Sequence, residues 1–256
     1  TLILNPLKWE NGMYRMDMDA FRELIKGCKL FILCNPHNPG GVVWKEEELR
    51  EIAEICDKEG VLVFSDEIHA DLTLPPHRHR PFATISEKAR MNSITFMSPS
   101  KAFNMPGMTA SHVLIFNPAL RQRFRKFMEA CELDLGHAFA FLSVEAAYSH
   151  GTEWLDQCLA YIQGNIDYVD AFLKEHAPKI KVVRPQASYL IWLDCREMEM
   201  SQEAVNNFFV DKAHLALNDG AMFGLVGTGF MRLNVASPRC VIEKAMLQLA
   251  KAYENL

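Results

Sequence analysis

Apolar residues follow two rhythms along this chain. Short unbroken runs of strand length occur at 29–34 (KLFILC), 61–65 (VLVFS), 93–97 (SITFM) and 111–116 (SHVLIF). Continuous apolar runs of this length are expected for strands buried on both faces of a parallel sheet. Between them the spacing changes to three and four. In KEEELREIAEICDKEG the positions Leu49, Ile52, Ala53 and Cys56 share one helical face, and Gly60 is placed to cap its end. NPALRQRFRKFMEACEL offers Asn117 as N-cap and Pro118 as first helical residue. The opening TLILNPL reads as the middle or end of a strand. Strands alternating with helices predict an α/β layer fold with a mostly parallel sheet and flanking helices.

The texture changes near Gly151. One long helical pattern, with Thr152 as its expected N-cap, runs to Pro178. Two strand-like runs, IKVVRP and SYLIWLD, come next. A helix, a Gly-rich loop over 220–229, the strand FMRLNVA and a terminal helix complete a smaller α+β unit. The expected domains are residues 1–150, part of a larger α/β domain, and residues 151–256, a small C-terminal domain.

Composition narrows the function. Hydrophobic residues make up 49% of 256, so a packed core is expected, and the net charge of −5 argues against a general nucleic-acid surface. The basic knot HRHR at 77–80 reads as a solvated loop with no further histidines spaced for a metal. Seven cysteines without a C-x-x-C pair predict free, mostly buried thiols in a reducing, cytoplasmic setting. No run approaches the ~20 apolar residues of a membrane span. The chain begins without methionine on an apolar stretch, and is expected to be a piece of a longer protein whose N-terminal part is missing.

In open α/β sheets the ligand crevice lies off the carboxyl ends of the strands. There the chain places NPHNPGG (35–41), DEIHAD (66–71) and SPSKAFN (98–104). Asn38, Asp66, His69, Ser98, Ser100 and Lys101 are thereby expected at one edge. Each has a structural reading when taken alone: a tight turn, a helix cap, a solvated lysine. Together they suit pyridoxal phosphate. That cofactor takes a lysine amine for a Schiff base and a carboxylate on its pyridinium nitrogen. Asn38 and His69 can serve its phenolic oxygen, and Ser98 and Ser100 its phosphate.

The motifs NPHNPGG, SDEIHAD and SPSKAFNMPG, in that order, resemble the fold-type I pyridoxal-phosphate enzymes of the class I/II aminotransferase superfamily. With FMRLNVASPR near the end, the chain looks most like the cystathionine β-lyase (C–S lyase) branch. The resemblance covers essentially the whole chain. It implies that Lys101 carries the cofactor and shuttles the α-proton, and that Asp66 pairs with the pyridine nitrogen. Asn38 and His69 would sit near the phenolic oxygen, Ser98 and Ser100 near the phosphate, and Arg232 would clamp the substrate α-carboxylate. A guanidinium fork suits that bidentate task.

Two positions depart from the pattern. Thr109 stands where many aminotransferases carry a phosphate-binding arginine, and Asp219 stands where the lyase branch commonly has proline, as a local turn variant. The family's glycine-bearing phosphate turn and ring-stacking aromatic lie upstream of NPL. Their absence implies exposed sheet edges. The function implied is β-elimination from cystathionine- or cysteine-type amino acids, giving pyruvate, ammonia and a thiol. The alternatives are an aminotransferase on the same scaffold and, in another class, an inactive fragment or interaction module. The partners implied are an amino-acid substrate and a second copy of the chain in a homodimer, with neither nucleic acid nor membrane.

Overall fold

The computed structural model describes residues 1–133, 136 and 138–256. They form two compact units. The first comprises Thr1–Asn5, Met16–His37 and Val43–Gln157; the second comprises Pro6–Arg15, Asn38–Val42 and Cys158–Leu256.

The N-terminal apolar run is not a strand. Leu2 and Leu4 lie exposed without regular structure. Apolar content alone does not make a strand where no neighbouring backbone supplies hydrogen bonds. The first strands come just after it, as the hairpin β1 (Lys8–Glu10) and β2 (Met13–Arg15) of the second unit. Asn11 and Gly12 turn it with φ of 51° and 77°. Both central residues at positive φ give the tight turn whose twist matches a two-residue hairpin.

In the first unit α1 (Met18–Leu24) is capped by Asp17, whose carboxylate accepts from Ala20 N. The sheet is built from β3 (Leu30–Cys34), β4 (Leu62–Asp66), β5 (Ser93–Met97) and β6 (His112–Leu114), in that spatial order. The first three are parallel and β6 is antiparallel. Helix α2 (Glu46–Glu59) crosses between β3 and β4 and buries Leu49, Ile52, Ala53 and Cys56. Each large aliphatic buried there contributes about 2–3 kcal/mol. Gly60 ends the helix in the left-handed conformation, φ 66°. Beyond it, Leu33 and Val63 fill the core from the sheet side. The opposite sheet face is more open: Ile32 on β3 is 65% exposed, and β3 pairs on one side only among the described residues. The short helices α3 (Glu87–Met91) and α4 (Pro99–Ala102) flank β5. α5 (Pro118–Ala130) starts on Asn117, whose side chain accepts from Ala119 N and Leu120 N, and α6 (Ala138–His150) follows.

α7 (Thr152–His176) takes Thr152 as its first helical residue and runs on into the second unit. There β7 (Lys181–Val183), β8 (Leu190–Asp194), β9 (Asn218–Asp219) and β10 (Phe230–Asn234) form an antiparallel sheet of order β7-β8-β10-β9. α8 (Gln202–Asn207) is extended by a π-helical turn over Phe208–Lys212, and α9 (Arg239–Tyr253) closes the chain. The hairpin joins this core: Trp9 and Tyr14 lie 5.0 Å apart at ring centres, and both meet Phe230. The Tyr14 hydroxyl donates to Val226 O.

Two sequence expectations change. The knot HRHR is only partly a solvated loop. His79 is turned inward, its Nε2 2.7 Å from the fully buried Glu67 carboxylate. The thiols are free, but only Cys56 and Cys195 are buried, and Cys131 and Cys240 are exposed. Among the described residues no helix is long and apolar enough to cross a membrane.

Candidate active site

The parallel register decides what the first unit presents at its carboxyl edge. Cys34 aligns with Asp66, and Asp66 with Phe96. The ladder continues one step further, through Asn35 N to Asp66 O and Glu67 N to Phe96 O, each 2.9 Å. The chain therefore leaves three adjacent strands at one level. Asp66 ends β4, His69 lies three residues on, and Ser98, Ser100 and Lys101 follow β5 directly.

An open cleft of about 300 Å³ lies along this edge. Its apolar walls are Ile32, Phe64, Ile68 and Phe96, and its polar groups are Asp66, Ser98 and Ser111. Asp66 is exposed into it and accepts from Ile68 N at 3.2 Å. No cation pairs with that carboxylate among the described residues. Ser98 is buried and works locally. Its Oγ lies 2.5 Å from Ala110 O, accepts from Ser100 N at 3.1 Å, and sits 2.8 Å from Ser100 Oγ. This caps α4, the single helical turn that carries Lys101. Lys101 is half-buried and has neither hydrogen bond nor ion pair among the described residues. What sets it apart is partial burial on a capped turn: Lys29, Lys58 and Lys126 also lack an ion pair among the described residues, but they are exposed. His69 is buried, at the start of the 3-10 turn Ala70–Leu72.

Behind Asp66 lies a group that sequence reasoning missed. Glu67 Oε1 accepts from Ser65 Oγ at 2.8 Å and from Phe82 N at 2.9 Å, and its Oε2 meets His79. This buried knot pins the end of β4 to the loop over 79–82. The signal available was the acidic pair Asp66-Glu67 at a strand end: alternation sends one carboxylate out and the other in.

Asn38 and Arg232 belong to the second unit, apart from the five residues just described. There they meet: Arg232 Nη1 donates to Asn38 Oδ1 at 3.0 Å, and Nη2 to Asn218 Oδ1 at 2.8 Å. The guanidinium lies 4.6 Å from the Phe223 ring centre. Burial lowers the Arg232 pKa, and nearby Tyr189 opposes that shift. Asp219 is held in its turn by Ala221 N and by the Gln202 and Asn206 amides. Thr109 adopts a left-handed φ of 48° at the end of the 3-10 turn Pro106–Met108.

The donor set fits pyridoxal phosphate. An unpaired amine, an unpaired carboxylate in a small apolar cleft and neighbouring hydroxyls are what that cofactor requires. Residues 3–247 match the family described as aminotransferase class I and II. The chain belongs to that family. It is 38% identical to cystathionine beta-lyase PatB of Bacillus subtilis, over 98% of this chain and 65% of that protein. Among solved structures it superimposes on pyridoxal-phosphate-containing cystalysin of Treponema denticola with a TM-score of 0.94 at 36% identity, covering 97% of this chain and 64% of that one. The PLP-bound C-S lyase of Staphylococcus hominis gives 0.87 at 32% identity, over 98% and 64%. The family chain spans slightly less than two-thirds of the length of these relatives.

Proposed function

We propose that this chain is the lysine-bearing part of a pyridoxal-phosphate-dependent carbon–sulfur β-lyase. The observation that carries the reading is Lys101, half-buried without a counter-charge, on the turn that leaves the Asp66 cleft. Its likeness to cystathionine beta-lyase PatB and to the C-S lyase supports the branch.

When bound, the cofactor supplies an electron sink for charge developing at the substrate α-carbon. Lys101 would hold the cofactor through its amine, and once the substrate's own amino group has taken that place the freed Lys101 Nζ would take the α-proton. Asp66 would keep the pyridine nitrogen protonated. His69 would serve the phenolic oxygen, the role also proposed for Asn38, and Ser98 and Ser100 would serve the phosphate. Because Ser98 Oγ is already bound to Ala110 O, Ser100 has the freer hydroxyl. Arg232 binds the substrate carboxylate. The Cβ–S bond breaks, the sulfur leaves as thiol, and with one water the remainder becomes pyruvate and ammonia.

The same reading includes a cytoplasmic protein that forms a homodimer, for which exposed Phe139, Phe141 and Leu142 on α6 offer apolar surface. The test is to supply the full-length, cofactor-loaded protein with cystathionine and assay pyruvate. Pyruvate release without an added keto acid is expected. Turnover only with a keto acid would assign the protein to the aminotransferases instead, and no turnover in either assay would make it an inactive relative.

A further inference from the structure

Arg232 is a cation surrounded by neutral groups. Its two terminal nitrogens reach two amide oxygens, Asn38 Oδ1 and Asn218 Oδ1, and the Phe223 ring lies beside the guanidinium. Nε is buried without a partner. Among the described residues no carboxylate pairs with it.

The strand geometry explains how this neutrality is kept beside an acidic residue. β9 consists of Asn218 and Asp219, paired with β10 so that Asn218 faces Arg232 and Asp219 faces Met231. Successive strand side chains point to opposite faces. The amide therefore lands on the guanidinium, and the acid lands on the other side. There Asp219 is consumed by Ala221 N, Gln202 and Asn206. The charge of Arg232 stays available for an incoming anion.

We propose that Asn218 is a positioning residue for Arg232: its neutral oxygen aims the guanidinium without cancelling its charge, and so sets the affinity of the site for a monocarboxylate. The inference rests on the reading of Arg232 as the clamp for the substrate carboxylate, and it adds what orients that clamp. A carboxylate at position 218 would make a charge-assisted pair and compete directly with the ligand. Removal of the amide would only loosen the fork.

The two substitutions separate electrostatics from structure. Asn218→Asp is expected to raise KM for cystathionine about tenfold or more, a difference of about 1.4 kcal/mol or more, with kcat changed much less. Asn218→Ala is expected to raise it by about threefold. Asn218→Ser, which keeps an oxygen acceptor, is expected to lie nearer the wild type than Asn218→Ala. Equal effects of the Asp and Ala variants would overturn the proposal, as would a fall in kcat at constant KM or no effect of either. Calorimetric binding of L-alanine, which carries the α-carboxylate and no leaving group, is measured on the same proteins. If the wild type releases no pyruvate, the lyase reading fails. The order wild type, Ala, Asp in alanine affinity still decides the role of Asn218. Should the Asp variant fail to fold, the Ala and Ser pair decides it by the same order.

Discussion

At the scale of single residues, two groups that do not line the cleft make the sharpest predictions. Burial pushes the His37 imidazole from 6.5 down to about 4. Its folded-state pKa is the lower one, so the unfolded chain takes up the proton first. The stability linked to His37 is therefore complete above about pH 6.5 and is lost as pH falls toward 4. The loss amounts to about 3 kcal/mol. Denaturant melts across that window check it: His37→Asn is expected to flatten the profile between pH 6.5 and 4. Glu67 makes the second prediction. Glu67→Ala leaves the Ser65 hydroxyl, the Phe82 amide and His79 without their acceptor. Buried groups stranded in this way cost about 3 kcal/mol or more. Glu67→Gln keeps an oxygen for Ser65 and Phe82 and is expected to cost less in the same melts. The sequence singled out Lys101, Asp66 and Arg232 as candidates because their chemistry is specific as a set. It hid the Glu67–His79 pair, since nothing in a single sequence says that a histidine twelve residues on folds back under a strand end.

At the scale of elements, the lysine-bearing turn is braced by a close approach. Phe103, two residues after Lys101, lies against Gly151: a Cβ there would come within 2.5 Å of both the Phe103 ring and Ala147 O. Trp154 stacks on that ring at 6.1 Å, and Tyr148 meets it edge-on at 5.6 Å. Gly151→Ala therefore has to displace Phe103, at a cost of about 1–3 kcal/mol. A lower melting temperature is expected, together with a shifted visible absorbance of the bound cofactor. An unmoved melting point would show that the ring gives way freely.

The same scale shows what local pattern conveys. The β3, β4 and β5 runs were readable because strands of a parallel sheet tend to be apolar throughout, although Leu30 and Ile32 of β3 lie exposed; the caps at Asn117 and Gly60 were readable because those residues have few other uses there. The β1–β2 hairpin went unread although Asn11-Gly12 is a strong turn signal. Its three-residue strands are too short to show a period, and their apolar side chains find their partners, Phe230 and Trp192, more than 170 residues away. TLIL failed the other way, being apolar enough for a strand but without a backbone beside it.

At the scale of the whole molecule, the chain carries a mixed sheet edge with Lys101, Asp66, His69 and the two serines in one unit, and the Asn38–Arg232 pair in the other. In the cleft, Ile32 and Phe64 offer apolar surface for the faces of a flat ring, while Asp66 and Ser98 offer polar groups for its charged edges. Cofactor binding by this cleft is thus the central claim, ahead of any choice of substrate. Its most direct test is a titration of the full-length protein with pyridoxal phosphate, followed by visible absorbance. The expected result is a saturable band, absent from Lys101→Ala at any cofactor concentration and weakened in Asp66→Ala. A band of undiminished intensity in Lys101→Ala, or none in the wild type, would contradict it.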